Sequence, residues 1–204
     1  MKLGHAAKCE ALTRRLRAAG APVRLGKDTS NLFRDRVGTT RRTLDVRAFD
    51  QVLAVDAAAG WLDAEGMVSY EQLVEACLAR DAAPAVVPQL KTITLGGAVA
   101  GIGIEASSHR FGLVHETVAE LEVLVADGSV VLCTPDNDHA DLFFGFPNSY
   151  GTLGYALRVK AQAVAVLPYV RLEHLAFAGA DAFFAAIESH CRAGDADFID
   201  ATVF

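Results

Sequence analysis

The spacing of apolar and polar residues predicts a helix followed by several strands in the first third of the chain. Residues 5–19 carry their apolar positions on one helical stripe, which is typical of an amphipathic helix. A short apolar run at 22–25 predicts the first strand. Two further runs, 43–49 and 51–66, predict strands joined by turns.

Two local signatures stand out in the middle of the chain. Ser69 and Gln72 have the spacing of a capping box, so we expect a helix to begin there. Residues 117–135 alternate apolar and polar positions on both sides of Asp127-Gly128, a dipeptide that favours a tight turn. This segment is the clearest β-hairpin in the sequence.

The last part of the chain changes its pattern. Residues 138–145 suit a short helix, and the alternation over 155–166 predicts a long strand. Beyond it we predict a strand at 171–177, a helix at 181–191 and a strand at 198–204. This order resembles the start of a βαβ unit.

Composition narrows the class of protein. The chain has 204 residues, of which 52% are hydrophobic, so it can bury a sizeable core. A net charge of −6 argues against a general nucleic-acid binder. No apolar run reaches the length of a membrane span, and we expect a cytoplasmic protein without a membrane partner. The four cysteines and six histidines lack the spacing of the usual zinc motifs, so the sequence predicts no metal site.

The segment 94–112, TLGGAVAGIGIEASSHRFG, is the strongest candidate for a functional loop. Many glycines in a short stretch indicate backbone that turns sharply or lies against another group. Free N–H groups in such turns bind anions, so a diphosphate or the edge of a flavin ring is one interpretation. The alternative is a tightly packed structural turn. The spacing matches neither the G-x-G-x-x-G fingerprint nor a P-loop.

A longer series of motifs resembles a known family. The glycine segment is followed by VLVADGSVVLCTP at 123–135 and by DLFFGFPNSYGTLG at 141–154. In this order they resemble the FAD-binding (PCMH-type) domain of the vanillyl-alcohol oxidase flavoprotein superfamily, closest to the delta(24)-sterol reductase family. The resemblance covers about two-thirds of the chain.

The resemblance implies an α+β fold of two subdomains, a small α/β unit and an antiparallel sheet flanked by helices, with FAD between them. We therefore expect an FAD-binding domain at 1–170, divided into subdomains at about 1–90 and 91–170. Residues 171–204 would begin an incomplete substrate or cap domain.

The resemblance also implies two cofactor-binding loops. The first is the equivalent of a pyrophosphate loop, although the charge of Asp28 departs from the family pattern. No histidine lies there to attach a flavin covalently, so we expect non-covalent FAD. The implied cofactor-binding residues are Gly26, Lys27, Thr29, Ser30 and Asn31 in the first loop, and Thr94, Gly96, Gly97, Gly101, Gly103, Ile104, Ser107, Ser108, Gly112 and Gly154 in and after the second.

His109 is the candidate catalytic residue, as a proton carrier or a contact to flavin or substrate. A structural hydrogen-bonding role is the alternative. For Glu105 too, a role beside the flavin and a structural role are both open. The implied function is an FAD-dependent oxidoreductase, or its flavin-binding portion, that passes hydride between a small-molecule substrate and flavin N5. The acceptor or donor would be NADPH or oxygen. The alternative is a truncated chain that serves as a non-catalytic flavin-binding or interaction module and forms a homodimer.

Overall fold

Two β-sheets of unequal size organise the chain in the computed structural model, which describes residues 3–19, 22–27 and 42–202. Helices and strands mix in the order of an α+β fold. In chain order the elements are α1 (His5–Ala19), β1 (Val23–Gly26), β2 (Arg42–Asp45), β3 (Val52–Asp56), β4 (Trp61–Glu65), α2 (Tyr70–Leu78), β5 (Ala82–Pro84), α3 (Leu95–Gly101), α4 (Ser108–Phe111), a 3₁₀ turn (Val114–Thr117), β6 (Val118–Leu124), β7 (Val130–Cys133), α5 (Ala140–Gly145), β8 (Tyr155–Ala165) and α6 (Ala180–Ala193).

The small unit consists of α1 with the parallel pair β1 and β2. Gly26 ends β1, and a Cβ atom placed there would come within 2.4 Å of Thr43 Cγ2 on the neighbouring strand. Close strand pairing therefore requires glycine at this position.

The larger sheet is antiparallel and has the order β3-β4-β8-β6-β7, with β5 also paired to β8. Strand β8 lies between β4 and β6, so it joins the hairpin β3–β4 to the hairpin β6–β7. At 11 residues it is long enough to hold all three partners in register.

A register shift in β8 gives the sheet two apolar faces. Glu122 of β6 pairs with Arg158, whereas the next residue of β6 pairs with Ala156. Leu157 therefore has no partner residue on β6 and forms a β-bulge. Leu157 consequently faces α1, while Ala156 and Val159 face the opposite core.

Each face is covered by different helices. On one side α2, α3 and α5 supply apolar residues to the main core, whose members include Leu73, Val99 and Phe143. On the other side α1 packs Leu12 against residues from the start of β8. The sheet is thus buried on both sides where α1 covers it.

A buried ionic cluster fixes α1 to the sheet. Glu65 at the end of β4 is fully buried, and its carboxylate accepts hydrogen bonds from Lys8 Nζ at 2.6 Å, His5 Nδ1 at 2.8 Å and Gln51 N at 2.9 Å. His5 Nε2 lies 2.9 Å from Oε1 of Glu122 on β6. Because Glu65 has no access to water, its charge is compensated by the side chains of α1.

The cluster shifts the pKa values of its members in opposite directions. Hydrogen bonds to Cys9, Glu122 and Glu65 raise the pKa of His5 to about 11. Burial by itself would raise the pKa of Glu65, but hydrogen bonds from His5 and Lys8 hold it below its usual range. The cluster therefore holds an imidazolium and an ammonium against two carboxylates near neutral pH.

Most predicted elements are confirmed. The helix at 5–19 is present, and Ser69 caps α2 with the reciprocal capping box. The hairpin forms as β6 and β7, and Gly128 has φ +84° in its turn. The long strand predicted at 155–166 is β8.

The βαβ-like ending is wrong for the described residues. Only its helix forms, as α6, and neither 171–177 nor 198–202, the described part of the last predicted strand, lies in a strand. A strand requires a partner for its backbone hydrogen bonds, and apolar alternation alone does not supply one. Leu167 and Tyr169, just before this segment, are 81% and 88% exposed, so this part of the chain contributes little to the hydrophobic core.

Within the described ranges, no helix is both long and apolar enough to cross a bilayer.

Removing the ammonium of Lys8 tests the buried cluster. We expect Lys8→Met to lower the free energy of unfolding by about 3–5 kcal/mol, because it leaves the Glu65 carboxylate without its closest cation. Denaturant unfolding measures the change. Arg14→Met is the matched control on the same helix, since the Arg14–Glu10 pair is exposed, and it should change stability little. Equal effects of the two substitutions would contradict the proposed role of the cluster.

Candidate functional site

Strained backbone concentrates at one place on the surface. In the described part of the chain four non-glycine residues have positive φ, and three of them are Ile102 (+57°), Asn148 (+60°) and Tyr150 (+49°). Positive φ is especially costly for a β-branched residue such as isoleucine. Such strain persists where the surrounding structure enforces it, and it clusters at functional sites.

The three strained residues belong to two loops that touch. Ile102 begins the α3–α4 loop (residues 102–107), and the other two lie in the 148–154 loop. Tyr150 N donates a hydrogen bond to Ala100 O at 3.1 Å, so the second loop is fixed to the C-terminal end of α3. The segment predicted as one continuous loop thus contains a short helix, whose first turn is capped by the buried hydroxyl of Thr94.

The end of α3 and the loop after it present open backbone. A Cβ atom at Gly101 would meet only the ring of Tyr150, at 3.9 Å. Ile104 is 79% exposed, and Tyr150 is 50% exposed. The N–H groups of Gly103 and Ile104 have no hydrogen-bond acceptor among the described residues. Neither packing nor local geometry explains glycine at position 101.

Three other predicted cofactor glycines have packing roles. A Cβ at Gly96 would lie 2.9 Å from Gly66 O, because α3 crosses the turn after β4 at close range. Gly112 has φ +76° and faces the Glu116 side chain. A Cβ at Gly154, directly before β8, would lie 2.6 Å from Leu124 O. These glycines shape the loops that present Gly101.

The hydroxyl groups of the α3–α4 region hold the loop in place. Ser107 Oγ is buried and donates to Ala85 O at 2.8 Å, and Ser108 Oγ accepts from Glu105 N at 2.9 Å. The Glu105 carboxylate accepts from Gln89 N at 3.1 Å, and burial raises its pKa. Gly97 N donates to the cap hydroxyl of α3. These contacts favour a positioning role for these predicted site residues.

His109 links this loop to the C-terminal segment. Its ring nitrogens lie 3.2 Å from Ala106 O and 3.0 Å from Ala196 O. Ile199 N donates to Ala106 O at 2.8 Å, and Arg110 pairs with Asp197 beside it. Both ring nitrogens therefore contact backbone carbonyls, which supports the structural interpretation. The catalytic role stays a prediction.

The first predicted loop is described only at its start. Gly26 is the last residue of β1 and has the strand-packing role given above, and Lys27 follows it. Thr29, Ser30 and Asn31 lie outside the described residues, and so does Asp28. The pyrophosphate assignment of this loop stays a prediction.

Residues 1–134 match the model of a family described as FAD binding domain, which includes the small unit, the α3–α4 loop and the β6–β7 hairpin. The chain belongs to this FAD-binding domain family. The resemblance to the PCMH-type flavoproteins is thereby confirmed.

Curated relatives and a solved structure agree with this membership. The chain is 35% identical to a delta(24)-sterol reductase of Pisum sativum over 131 residues, covering 64% of this chain and 23% of the relative. It is 30% identical to the Homo sapiens delta(24)-sterol reductase over 172 residues, covering 83% of this chain and 33% of the relative. It is also 30% identical to the decaprenylphosphoryl-β-D-ribose oxidase of Mycolicibacterium smegmatis over 120 residues, covering 58% of this chain and 26% of the relative.

The solved structure is 6-hydroxy-D-nicotine oxidase from Arthrobacter nicotinovorans, with a TM-score of 0.68 at 19% identity, covering 77% of this chain and 35% of that one. It confirms the fold. The chain spans between about a quarter and a third of the length of the curated relatives it matches.

The residues present fit FAD. Open backbone at Gly101 would allow a planar ring or a diphosphate to lie close, and the free N–H groups of Gly103 and Ile104 would donate to it. Ser149 Oγ, in the adjoining 148–154 loop, is buried and has no hydrogen-bond partner among the described residues. A ligand or an ordered water beside this loop would satisfy the hydroxyl.

Two features of this site were missed in the sequence. Ile102 carried no signal, because isoleucine is among the residues least expected at positive φ. Tyr150 lies directly before the GTLG motif, and the N-S-Y-G turn around it was the available signal.

The two classes of glycine should respond differently to alanine. We expect Gly96→Ala to destabilise the fold, because its Cβ would overlap Gly66 O. Gly101→Ala should leave stability unchanged or raise it by up to about 1 kcal/mol, since alanine is the better helix former. Thermal unfolding of the two variants measures this. A strongly destabilised Gly101→Ala protein would show that this glycine is structural.

Replacing His109 tests its positioning role. We expect His109→Leu to speed amide exchange at Ile199 by about 2- to 10-fold, because the C-terminal segment loses a hydrogen bond worth about 0.5–1.5 kcal/mol. Hydrogen exchange read by NMR gives the rate. His139→Leu, at an exposed histidine, is the control and should leave the rate unchanged. Unchanged exchange in His109→Leu together with lost turnover would favour the catalytic interpretation.

Proposed function

We propose that this chain is the flavin-binding part of an FAD-dependent oxidoreductase that holds its cofactor non-covalently. The observation that carries the proposal is the open backbone at Gly101, which adjoins the strained residues Ile102 and Tyr150. The family membership supports FAD as the ligand. Non-covalent binding is supported by the lack of a histidine between Arg24 and Asn31 in the sequence.

Bound at this site, FAD would supply hydride transfer between flavin N5 and a carbon of a small-molecule substrate. The chain would contribute position. Backbone N–H groups of the α3–α4 loop would donate to the cofactor, and the exposed Tyr150 and Ile104 would offer apolar surface to a planar ring. Ser107 and Thr94, through their internal hydrogen bonds, would keep the loop in position for the cofactor.

Because the relatives are named as reductases and oxidases, we propose NADPH or oxygen as the redox partner to be tested. The small-molecule class of the substrate, the cytoplasmic location and the homodimeric alternative stay predictions. The division into domains at residue 170 also stays a prediction.

The cofactor assignment is tested by FAD retention. We expect the purified protein, mixed with FAD and passed through gel filtration, to keep visible flavin absorption. Denaturation should release all of the flavin into solution, as non-covalent binding requires. Bleaching by NADPH without oxygen, or by a substrate, would support the oxidoreductase. Retained colour without any turnover would favour a flavin-binding module. A colourless protein would contradict both the oxidoreductase and the binding module.

The position of the cofactor is tested by Gly101→Leu. We expect this variant to lose FAD retention while it unfolds at the same temperature as the unsubstituted protein, because the new side chain fills the open backbone. Gly179→Leu is the matched control. A Cβ at Gly179 would meet no atom within 4 Å, and this glycine is the N-cap of α6, outside the proposed flavin site. Full retention by Gly101→Leu would refute this position without refuting FAD binding itself.

A further inference from the structure

Three side chains of different chemical types converge where α1 meets the sheet. His5 Nε2, Cys9 Sγ and a carboxylate oxygen of Glu122 lie within 4.8 Å of one another. The nitrogen-to-oxygen distance is 2.9 Å, and the sulfur lies 3.4 Å from each of the other two atoms. This cluster is separate from the α3–α4 loop and takes no part in the proposed flavin site.

The spacing of these atoms is close to that of a tetrahedral metal site. Zinc bonds of about 2.0–2.3 Å to nitrogen, oxygen and sulfur place neighbouring ligand atoms about 3.3–3.6 Å apart. The observed separations of 2.9 and 3.4 Å therefore need to widen by only a few tenths of an ångström. Side-chain rotation supplies such a change without moving the backbone.

The secondary structure presents the three ligands from rigid elements. His5 and Cys9 are four residues apart on α1, so they lie on the same face of the helix. Glu122 comes from β6, an interior strand of the larger sheet between β8 and β7. Cys9 is buried, while His5 and Glu122 keep 18% and 22% of their side-chain surface exposed. An ion can therefore reach the cluster from solvent.

An outer carboxylate already orients the histidine. His5 Nδ1 contacts Glu65 Oε1 at 2.8 Å, which leaves Nε2 directed at Cys9 and Glu122. A carboxylate on the far ring nitrogen is the usual support of a metal-bound histidine. Glu65 is itself held by Lys8 and by the backbone of Gln51, so its position does not depend on the metal.

We propose that His5, Cys9 and Glu122 bind one Zn²⁺ ion, with water as the fourth ligand. Binding would release one proton from the Cys9 thiol and one from the His5 ring. The thiolate and the Glu122 carboxylate would then balance the charge of the ion, while Lys8 balances Glu65. The thiolate and imidazole select zinc over magnesium and calcium. The ion would join α1 to β6 across the sheet.

The site is tested on the full chain with Co²⁺ as a spectroscopic probe. After removal of metal by a chelator, one equivalent of Co²⁺ should produce a thiolate-to-cobalt charge-transfer band, and Zn²⁺ should abolish it by displacement. Zinc should also remain bound at one equivalent after dialysis, and it should raise the melting temperature. Cys9→Ser should lose the band, and Glu122→Gln should weaken zinc binding at least 10-fold.

Cys191→Ser is the matched control, because Cys191 is a free, exposed thiol on α6. It should keep the band and the bound zinc. Absence of the band in the unsubstituted protein would overturn the proposal and leave the cluster as an ion-pair network only. Loss of the band in Cys191→Ser, or its persistence in Cys9→Ser, would also overturn it. If Cys9→Ser fails to fold in circular dichroism, undiminished zinc affinity in Glu122→Gln is the decisive contrary result.

Discussion

The buried carboxylate of Glu65 is the constraint on which the arrangement of the chain depends. It lies at the end of β4, where no water reaches it, and a charge in that position is tolerated only with full compensation. The compensation comes from Lys8 and His5 of α1 and from the backbone after Phe49. The N-terminal helix is therefore placed by electrostatics as well as by the apolar contacts of Leu12.

The same end of β4 leads into the flavin-binding region. Directly after Glu65, the turn at Gly66 approaches β8 so closely that a Cβ there would lie 1.9 Å from Ala156 O. Gly96 N donates to Gly66 O at 2.9 Å, which seats α3 on this turn. The position of Gly101 at the far end of α3 thus follows from a contact made five residues earlier, at Gly96, and the glycine-rich segment combines a packed half with an open half.

Sequence reasoning succeeded where the signal was local. The capping box at Ser69 and the Asp127-Gly128 hairpin were readable because the residues that decide them are neighbours in the chain. It failed at 171–177, where a strand pattern has no partner strand among the described residues. The cluster of His5, Cys9 and Glu122 was invisible for the opposite reason, since it is assembled only when residues far apart in the chain are brought together by the fold.

The central place of β8 has a consequence for how the chain is made. Strands β4, β5 and β6 all pair with a strand that ends at Ala165, so their backbone edges stay open while the ribosome is still adding residues beyond them. Unpaired edges of apolar strands attract other chains. Growth of the nascent chain is therefore the period in which this protein is most exposed to aggregation. The sheet can be completed only after its middle strand has been made.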